Sequence, residues 1–321
     1  MKVSAFVAAL SGAFSIAVPV IQGADPPTHY PKLGVTETRE TYKTVQQTKL
    51  QLHIFTCSRP DQVPVPAGRT AIVFFFGGGW KGGTTTQFKP HAQYFATRGV
   101  VAVTPEYRIR NVHQSTAIQS VSDAMSAIRW VRKNAQRLGI DPQKVIAAGG
   151  SAGGHLAAAA ATLPDFHEPQ AGSAVSCVPD GLLLFNPALD LRHEAFHLEE
   201  DSERYQDILS RLGTTPGKIS PTLHVPEKAP PTIIFHGRDD PTVPFSQVTA
   251  FQTAWSKHGI CEVKGYAGQT HGFFNFNRKN GYFRKTVEAA DRFLVEHGFL
   301  EGAPTIQELE ATVRSIKSHS P

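Results

Sequence analysis

The sequence predicts an α/β fold in which a mostly parallel sheet of about eight strands is covered by helices on both faces. Short apolar or β-branched segments alternate along the chain with longer segments of helical periodicity. With 40% hydrophobic and 18% charged residues, the composition suits a substantial core and excludes a disordered chain or a coiled coil. The 27 glycines and 23 prolines supply the many turns that alternating strands and helices require.

Seven segments are predicted as strands because they are short, apolar or β-branched, and bounded by turn residues. They are Leu50–Phe55, Thr70–Phe76, Val100–Thr104, Val145–Ala148, Leu182–Phe185, Thr232–Phe235 and Cys261–Tyr266. Five longer segments have apolar residues at helical spacing and are predicted as helices. They are Phe88–Arg98, Ser115–Arg137, Ala152–Leu163, Phe245–Lys257 and Phe283–His297, with a turn at Gly139–Pro142. In sheets of this kind, ligands bind at the carboxyl ends of the strands.

Within a single predicted domain, residues 25–321, one segment departs from the alternation, and polar segments lie at both ends of the domain. Residues 25–40 are polar and rich in proline, and we expect an extended arm there. The charged segment 192–224 is an insertion before the strand Thr232–Phe235, with a helix predicted near Glu203–Leu212. It is either a small lid over the strand ends or a plain surface excursion. Residues 302–321 form a polar tail that we expect to be of low structural importance.

The first 24 residues have the pattern of a secretory signal peptide. Lys2 precedes an apolar stretch that runs from Val3 to Ile21, and small residues follow at Gly23 and Ala24. The alternative is an uncleaved anchor, because the stretch is long enough to span a bilayer. Cleavage predicts a secreted or periplasmic protein without stable membrane association.

Export would permit disulfide bonds, but Cys57, Cys177 and Cys261 allow at most one internal bridge, and none is equally admissible. Their spacing does not fit a metal site of the C-x-x-C type, and no metal ligand set is predicted. The net charge of +5 is mild for 321 residues. The basic residues clustered at 129–137 have helical spacing and indicate a solvated helix face rather than a nucleic-acid surface.

A G-x-S-x-G pattern follows the predicted strand Val145–Ala148 and opens a predicted helix. Its serine is Ser151, and its flanking glycines are Gly149 and Gly153. A nucleophile needs this context because a sharp strand-to-helix turn lifts its hydroxyl above the sheet edge, and side chains at the flanking positions would clash there. The helix amino terminus also favours developing negative charge. The pattern therefore predicts Ser151 as a nucleophile.

Three glycines, residues 77–79, follow the strand Thr70–Phe76 and free backbone N–H groups to point at a ligand oxygen. Acyl transfer needs such donors for its tetrahedral intermediate. The predicted oxyanion hole uses the N–H groups of Gly78, Gly79 and Ala152. No G-K-[ST] follows the glycines, so a phosphate-binding loop is the weaker interpretation.

Together with the serine elbow, residues 76–80 resemble the H-G-G-G-W loop of α/β-hydrolase esterases and lipases, in particular the hormone-sensitive-lipase-like and feruloyl or acetyl xylan esterase-like branches. Phe76 stands where those families usually carry histidine. Residues 236–244 look like the H-G-x-x-D-x-x-V-P segment of these enzymes, which assigns the triad acid to Asp240, with Asp239 as the competing aspartate. Residues 271–273 resemble their H-G-F segment, which makes His271 the base.

His236 is a competing base by residue type, but it precedes the acid in the chain, and we interpret it as structural. The resemblance implies a serine carboxylic-ester hydrolase that works through an acyl-enzyme without metal or organic cofactor. Hormone-sensitive-lipase relatives typically carry an acidic residue just before the serine, where this chain has Gly150. This difference favours a resemblance to the esterases that remove acetyl groups, or other short or aromatic acyl groups, from a carbohydrate or a small ester. The alternatives are a non-catalytic hydrolase-fold binding protein and a serine peptidase. No nucleic-acid partner is expected, and the oligomeric state is open.

Overall fold

The computed structural model describes residues 34–57, 68–163, 166, 175–278 and 280–307. The strands are β1 (Val35–Val45), β2 (Thr48–Cys57), β3 (Arg69–Phe75), β4 (Val101–Pro105), β5 (Ile140–Gly150), β6 (Gly181–Phe185), β7 (Thr232–Gly237) and β8 (Cys261–Tyr266). The helices are α1 (Lys89–Thr97), α2 (Arg110–His113), α3 (Ala117–Lys133), α4 (Ala135–Leu138), α5 (Ala152–Thr162), α6 (His193–Phe196), α7 (Glu203–Leu212), α8 (Phe245–Trp255) and α9 (Tyr282–Glu296).

These strands form one eight-stranded sheet in the order β1-β2-β4-β3-β5-β6-β7-β8. The β1–β2 and β2–β4 pairs are antiparallel, and every pair from β4–β3 to β7–β8 is parallel. The predicted α/β fold with a mostly parallel sheet flanked by helices is therefore confirmed. Because the carboxyl ends of the parallel strands share one edge, the loops after β3, β5, β7 and β8 meet there.

The central strands are apolar throughout because helices cover both faces of the sheet. In β3, Ala71, Val73 and Phe75 belong to one core cluster, whereas Ile72 and Phe74 belong to the other. This alternation follows from the two-residue period of a strand. The first cluster contains buried residues of α3, α5, α7 and α8, and the second contains those of α1 and α9. The site therefore stands on a sheet that is packed from both sides.

The structure corrects the predicted elements at three places. Residues 35–40 are part of strand β1, which pairs with β2, and not an extended arm; the rest of that segment, 25–33, lies outside the described residues. The helix expected over Ser115–Arg137 is divided into α3 and α4 at Asn134, whose side-chain amide donates to the Trp130 carbonyl at 2.8 Å. Strand β5 begins at Ile140, inside the segment expected to form a turn.

The first part of the expected polar tail packs onto the fold. Ile306 is fully buried in the second core cluster, and the Thr305 N–H donates to the Tyr94 hydroxyl at 3.2 Å. Arg98 donates to the Gly302 carbonyl at 3.0 Å. The expectation of low structural importance is thus wrong for residues 302–307, because one apolar residue anchors this segment, and residues 308–321 lie outside the described part.

Two further observations bear on the sequence predictions. The structure has no disulfide bond among Cys57, Cys177 and Cys261. Of the two alternatives that the sequence left open, one bridge or none, it therefore has none. Within the described residues, no helix is both long and apolar enough to cross a membrane. The predicted signal peptide, residues 1–24, lies outside them.

Candidate active site

Ser151 occupies the sharp turn between β5 and α5. Its backbone angles are φ 55° and ψ −120°, a conformation rare for a residue with a side chain. A Cβ on Gly149 would lie 2.4 Å from the Gly153 carbonyl oxygen, and a Cβ on Gly153 would lie 2.1 Å from that of Phe75. Only glycine fits at both flanking positions. The Ser151 N–H donates to the Phe185 carbonyl at 2.9 Å, which ties the strained residue to β6.

The structure brings Ser151, His271 and Asp240 together from three different loops. His271 Nε2 lies 3.0 Å from Ser151 Oγ, and His271 Nδ1 lies 2.7 Å from Asp240 Oδ2. The Asp240 side chain is fully buried, and the His271 side chain is 23% exposed. In this arrangement the hydroxyl donates to Nε2 while Nδ1–H donates to the carboxylate. The hydroxyl, the imidazole and the carboxylate therefore form one chain of hydrogen bonds.

The Asp240 carboxylate is held by several donors. Its Oδ1 accepts the N–H groups of Thr242 at 2.8 Å and Val243 at 3.0 Å. Burial raises the pKa of Asp240, but hydrogen bonds from His236, His271 and the Val243 amide outweigh burial and hold the pKa well below its usual value. The carboxylate is therefore ionised and oriented towards His271.

The neighbouring polar residues point elsewhere. Asp239 is exposed, and its Oδ2 accepts the Gly268 N–H at 2.6 Å, so it is Asp240 that contacts the histidine. His236 is fully buried at the end of β7 and donates from Nε2 to the Val243 carbonyl at 2.9 Å, with the same atom 3.3 Å from Asp240 Oδ2. His236 thus holds the loop that carries Asp240 in place.

The glycine loop after β3 leaves backbone donors available. Gly78 and Gly79 have φ angles of 127° and 60°, conformations that favour glycine. The Gly77 N–H donates to Gln87 Oε1 at 2.6 Å. No hydrogen bond within the described part of the chain uses the N–H groups of Gly78, Gly79 or Ala152 as donors. These three amides are the ones that the sequence assigned to an oxyanion hole, and each is available to a ligand.

Phe76 replaces the expected histidine without leaving the loop unsupported. Its ring stacks on Tyr107 with centroids 4.1 Å apart and planes 18° apart. The Tyr107 hydroxyl donates to the Phe76 carbonyl at 2.7 Å. Both residues are buried, so stacking and the hydrogen bond together fix the end of β3.

A cavity of about 210 Å³ opens beside Ser151. Its apolar wall consists of Trp80, Ala188, Phe196, Ile208 and Val243. Its charged part is Arg204, Asp207 and Arg211, all from helix α7 of the insertion. The insertion, predicted as either a lid or a surface excursion, therefore lies over the site and lines the cavity.

Comparison with known proteins identifies the family of this chain. The family model BD-FAE matches residues 63–255, which is more than half of the chain. The chain belongs to the BD-FAE family. This places it among the α/β-hydrolase esterases and lipases that its motifs resemble.

The relatives of this BD-FAE chain include esterases of known structure. Esterase LipQ of Mycobacterium tuberculosis is 32% identical over 216 residues, 64% of this chain and 50% of LipQ, so the chain spans about half the length of this curated relative. Esterase 2 of Thermogutta terrifontis phosphonylated by cyclosarin is 44% identical with a TM-score of 0.75, covering 83% of this chain and 96% of that one. The butyrate-bound structure of the same esterase is 44% identical to this chain with a TM-score of 0.74, and the match covers 86% of this chain and 100% of that one.

The space beside Gly150 explains why this BD-FAE chain has no acidic residue before the serine. A Cβ on Gly150 would lie 2.8 Å from Phe274 Cζ and 3.3 Å from Phe88 Cζ. Phe274 and Phe88 are fully buried and stacked, with centroids 5.8 Å apart. Aromatic packing therefore occupies the position where a side chain would extend.

The sequence analysis missed Asn186 and Gln87. Asn186 is buried after β6, and its Oδ1 accepts the Gly272 N–H at 2.9 Å, next to His271. Its Nδ2 lies 3.5 Å from His271 Nε2. A polar residue directly after a buried strand was the available signal for Asn186. Gln87 gave no such signal; it lies in a short 3-10 helix, Thr85–Phe88, after the glycine loop.

Proposed function

We propose that this BD-FAE chain is a serine carboxylic-ester hydrolase that removes short acyl groups through an acyl-enzyme. The supporting observation is the hydrogen-bonded series from Ser151 through His271 to Asp240, beside available amides and an apolar cavity. The activity of LipQ and of the Thermogutta esterase, as their names state it, supports the same reaction class.

In the first half-reaction, Ser151 Oγ attacks the ester carbonyl while His271 Nε2 accepts the hydroxyl proton. The N–H groups of Gly78, Gly79 and Ala152 donate to the carbonyl oxygen as it becomes negative. Asp240, ionised and buried, keeps Nδ1–H of His271 in place and stabilises the imidazolium. The proton then passes from His271 to the leaving alkoxide, and the acyl group remains on Ser151.

In the second half-reaction, His271 removes a proton from water, which attacks the acyl-enzyme carbonyl. The same three amides hold the oxyanion, and the proton returns from His271 to Ser151 Oγ as the carboxylic acid leaves. Each step therefore uses one base and one set of donors. The 23% exposure of His271 gives water access to the base.

The cavity supports a short acyl group. Its volume of about 210 Å³ lies below the roughly 300–1,000 Å³ of sites for drug-sized ligands. Its wall is apolar at Phe196, Ile208 and Val243, which suits acetyl to butyryl chains. The Thermogutta relative binds butyrate in its structure. The charged residues of α7 that also line the cavity suit a hydroxyl-rich alcohol, so the proposed substrates are short-chain esters of small alcohols or carbohydrates.

Acyl-chain length tests the proposal directly. p-Nitrophenyl acetate, butyrate and octanoate, together with acetylated and feruloylated oligosaccharides, are incubated with wild type and with Ser151→Ala. We expect wild type to hydrolyse acetate and butyrate well above octanoate, and the variant to be inactive. Equal rates for wild type and variant, or a preference for octanoate, would reject the proposal.

We also propose that the protein is exported, on the sequence pattern of residues 1–24 alone. Amino-terminal sequencing of the protein from its native host tests this. A start near Asp25 supports export with cleavage, and a start at Met1 in the cytoplasmic fraction contradicts it.

A further inference from the structure

The Arg211 side chain of helix α7, in the insertion, contacts the glycine loop. We propose that Arg211 is a positioning residue of the oxyanion hole: it fixes the Gly79 carbonyl, and with it the backbone of Gly79, so that the Gly79 amide stays available to the substrate oxygen. Its Nη1 donates to the Gly79 carbonyl at 3.0 Å. This inference rests on the proposed esterase function.

The Arg211 guanidinium is itself held rigidly. Nη2 donates to Asp207 Oδ2 at 2.8 Å, and Nε donates to the Asp207 carbonyl at 2.8 Å. The side chain is only 12% exposed. All three nitrogens are thus engaged, and the planar fork has a single orientation towards the loop.

Arg211 adds to the hydrogen bonds that hold the peptides of this loop. The Gly78 carbonyl accepts the N–H groups of Lys81 and Gly82, both at 3.1 Å, which orients the peptide between Gly78 and Gly79. In a trans peptide the N–H points opposite to the carbonyl, so the Gly79 N–H faces away from that turn. The next carbonyl, that of Gly79, is bonded to Arg211. Without it, a glycine has wide rotational freedom at this point.

Helix α7 is also attached to the loop around this contact. Asp207 Oδ1 lies 3.2 Å from Lys81 Nζ, two residues after Gly79. Arg110 donates from its side chain to the Ser210 carbonyl and from its N–H to the Trp80 carbonyl at 2.9 Å. The carboxyl-terminal half of α7 is thus connected to the residues that follow Gly79, directly at Lys81 and through Arg110 at Trp80. This makes the insertion a structural part of the oxyanion hole as well as a cover for the cavity.

The test removes the guanidinium group of Arg211 by substitution and then supplies guanidinium from solution. Arg211→Met keeps a side chain of similar length but removes the guanidinium, and Arg211→Lys keeps the charge without the fork. We expect kcat for p-nitrophenyl acetate to fall about 10- to 100-fold in Arg211→Met with KM little changed, since displaced donors act mainly on the transition state. Millimolar guanidinium should restore part of this loss. The kcat of Arg211→Lys should lie between those of wild type and Arg211→Met. If the methionine variant does not fold, the comparison of Arg211→Lys with wild type serves as the test.

Arg292→Met is the matched control. Like Arg211 with Asp207, Arg292 forms an i,i+4 ion pair with an acidic residue of its own helix, Glu288 of α9, at 2.6 Å. It contacts none of the site residues. It should keep wild-type kcat and should not respond to guanidinium. A kcat of the Arg211 variants within twofold of this control would overturn the inference, and so would a loss that guanidinium does not restore. An inactive wild type would instead reject the esterase proposal itself.

Discussion

Asp240 and His271 meet at 2.7 Å in a part of the molecule where the aspartate is fully buried and the histidine is partly exposed. The adjacent Asp239 lies on the surface and bonds the Gly268 amide at 2.6 Å. Two neighbouring aspartates of one loop thus have different partners. Their substitution should separate a role in orienting the base from a role in shaping the turn.

Asp240→Asn should reduce kcat by about a thousandfold or more, because the amide cannot hold the Nδ1–H tautomer of His271 as a carboxylate does. Asp239→Asn keeps an oxygen acceptor for the Gly268 N–H and should remain within about threefold of wild type. Steady-state hydrolysis of p-nitrophenyl acetate by both variants measures this. Similar losses in the two variants would contradict the assignment of the acid to Asp240.

Asn186→Asp should change the pH dependence of the reaction. Aspartate can still accept the Gly272 N–H, but it places a negative charge within about 3.5 Å of His271 Nε2. A nearby negative charge stabilises the imidazolium relative to the neutral imidazole, so the acid limb of kcat/KM should move to higher pH. A pH–rate profile of both proteins tests the shift; an acid limb that stays in place or moves to lower pH would rule out this contact.

The sequence predicted the parallel strands and the site loops because these segments carry strong local signals. The strand Cys261–Tyr266 and the helix Glu203–Leu212 have the predicted bounds. Strand β1 escaped prediction because its residues are polar on both faces, and only pairing with β2 makes it a strand. The contact of Arg211 with Gly79 joins residues 132 positions apart. No local pattern encodes such a contact, so the role of the insertion required the structure.

His91 should make the fold sensitive to acid. It is fully buried among aromatic rings, including Phe88 and Phe283 at 4.8 Å, and neither ring nitrogen has a hydrogen-bond partner among the described residues. Burial lowers the pKa of His91 to about 3. Above about pH 6.5 the histidine is neutral in both states and its contribution to stability is complete. Between pH 6.5 and about 3 only the unfolded state takes up the proton, so stability falls as the pH falls.

His91→Leu should therefore flatten the decline of unfolding free energy below pH 6.5, by about 1 kcal/mol for each pH unit. His155, whose pKa burial lowers to about 4, remains and should keep part of the slope. Urea denaturation at several pH values measures the effect, with the surface substitution His258→Leu as the control. An identical slope in the His91 variant and wild type would show that this histidine does not govern the acid response.

Gly150→Ala should destabilise the protein by about 1–3 kcal/mol, because the added methyl group forces the packed rings of Phe274 and Phe88 apart. Gly217→Ala is the control, since its nearest neighbour, Leu223 Cδ1, would be 3.7 Å away. Thermal and urea unfolding compare the two. Equal stability of both variants would mean that the rings of Phe274 and Phe88 move apart with no loss of unfolding free energy.

The most direct test is covalent labelling of Ser151 by a fluorophosphonate, read by intact mass and peptide mapping. The Thermogutta relative was captured in a phosphonylated form. We expect wild type to gain one adduct, on the peptide that contains Ser151, and to lose its hydrolytic activity in the same proportion. Ser151→Ala should gain none. An adduct of equal yield on the alanine variant, or full esterase activity in labelled wild type, would contradict Ser151 as the nucleophile.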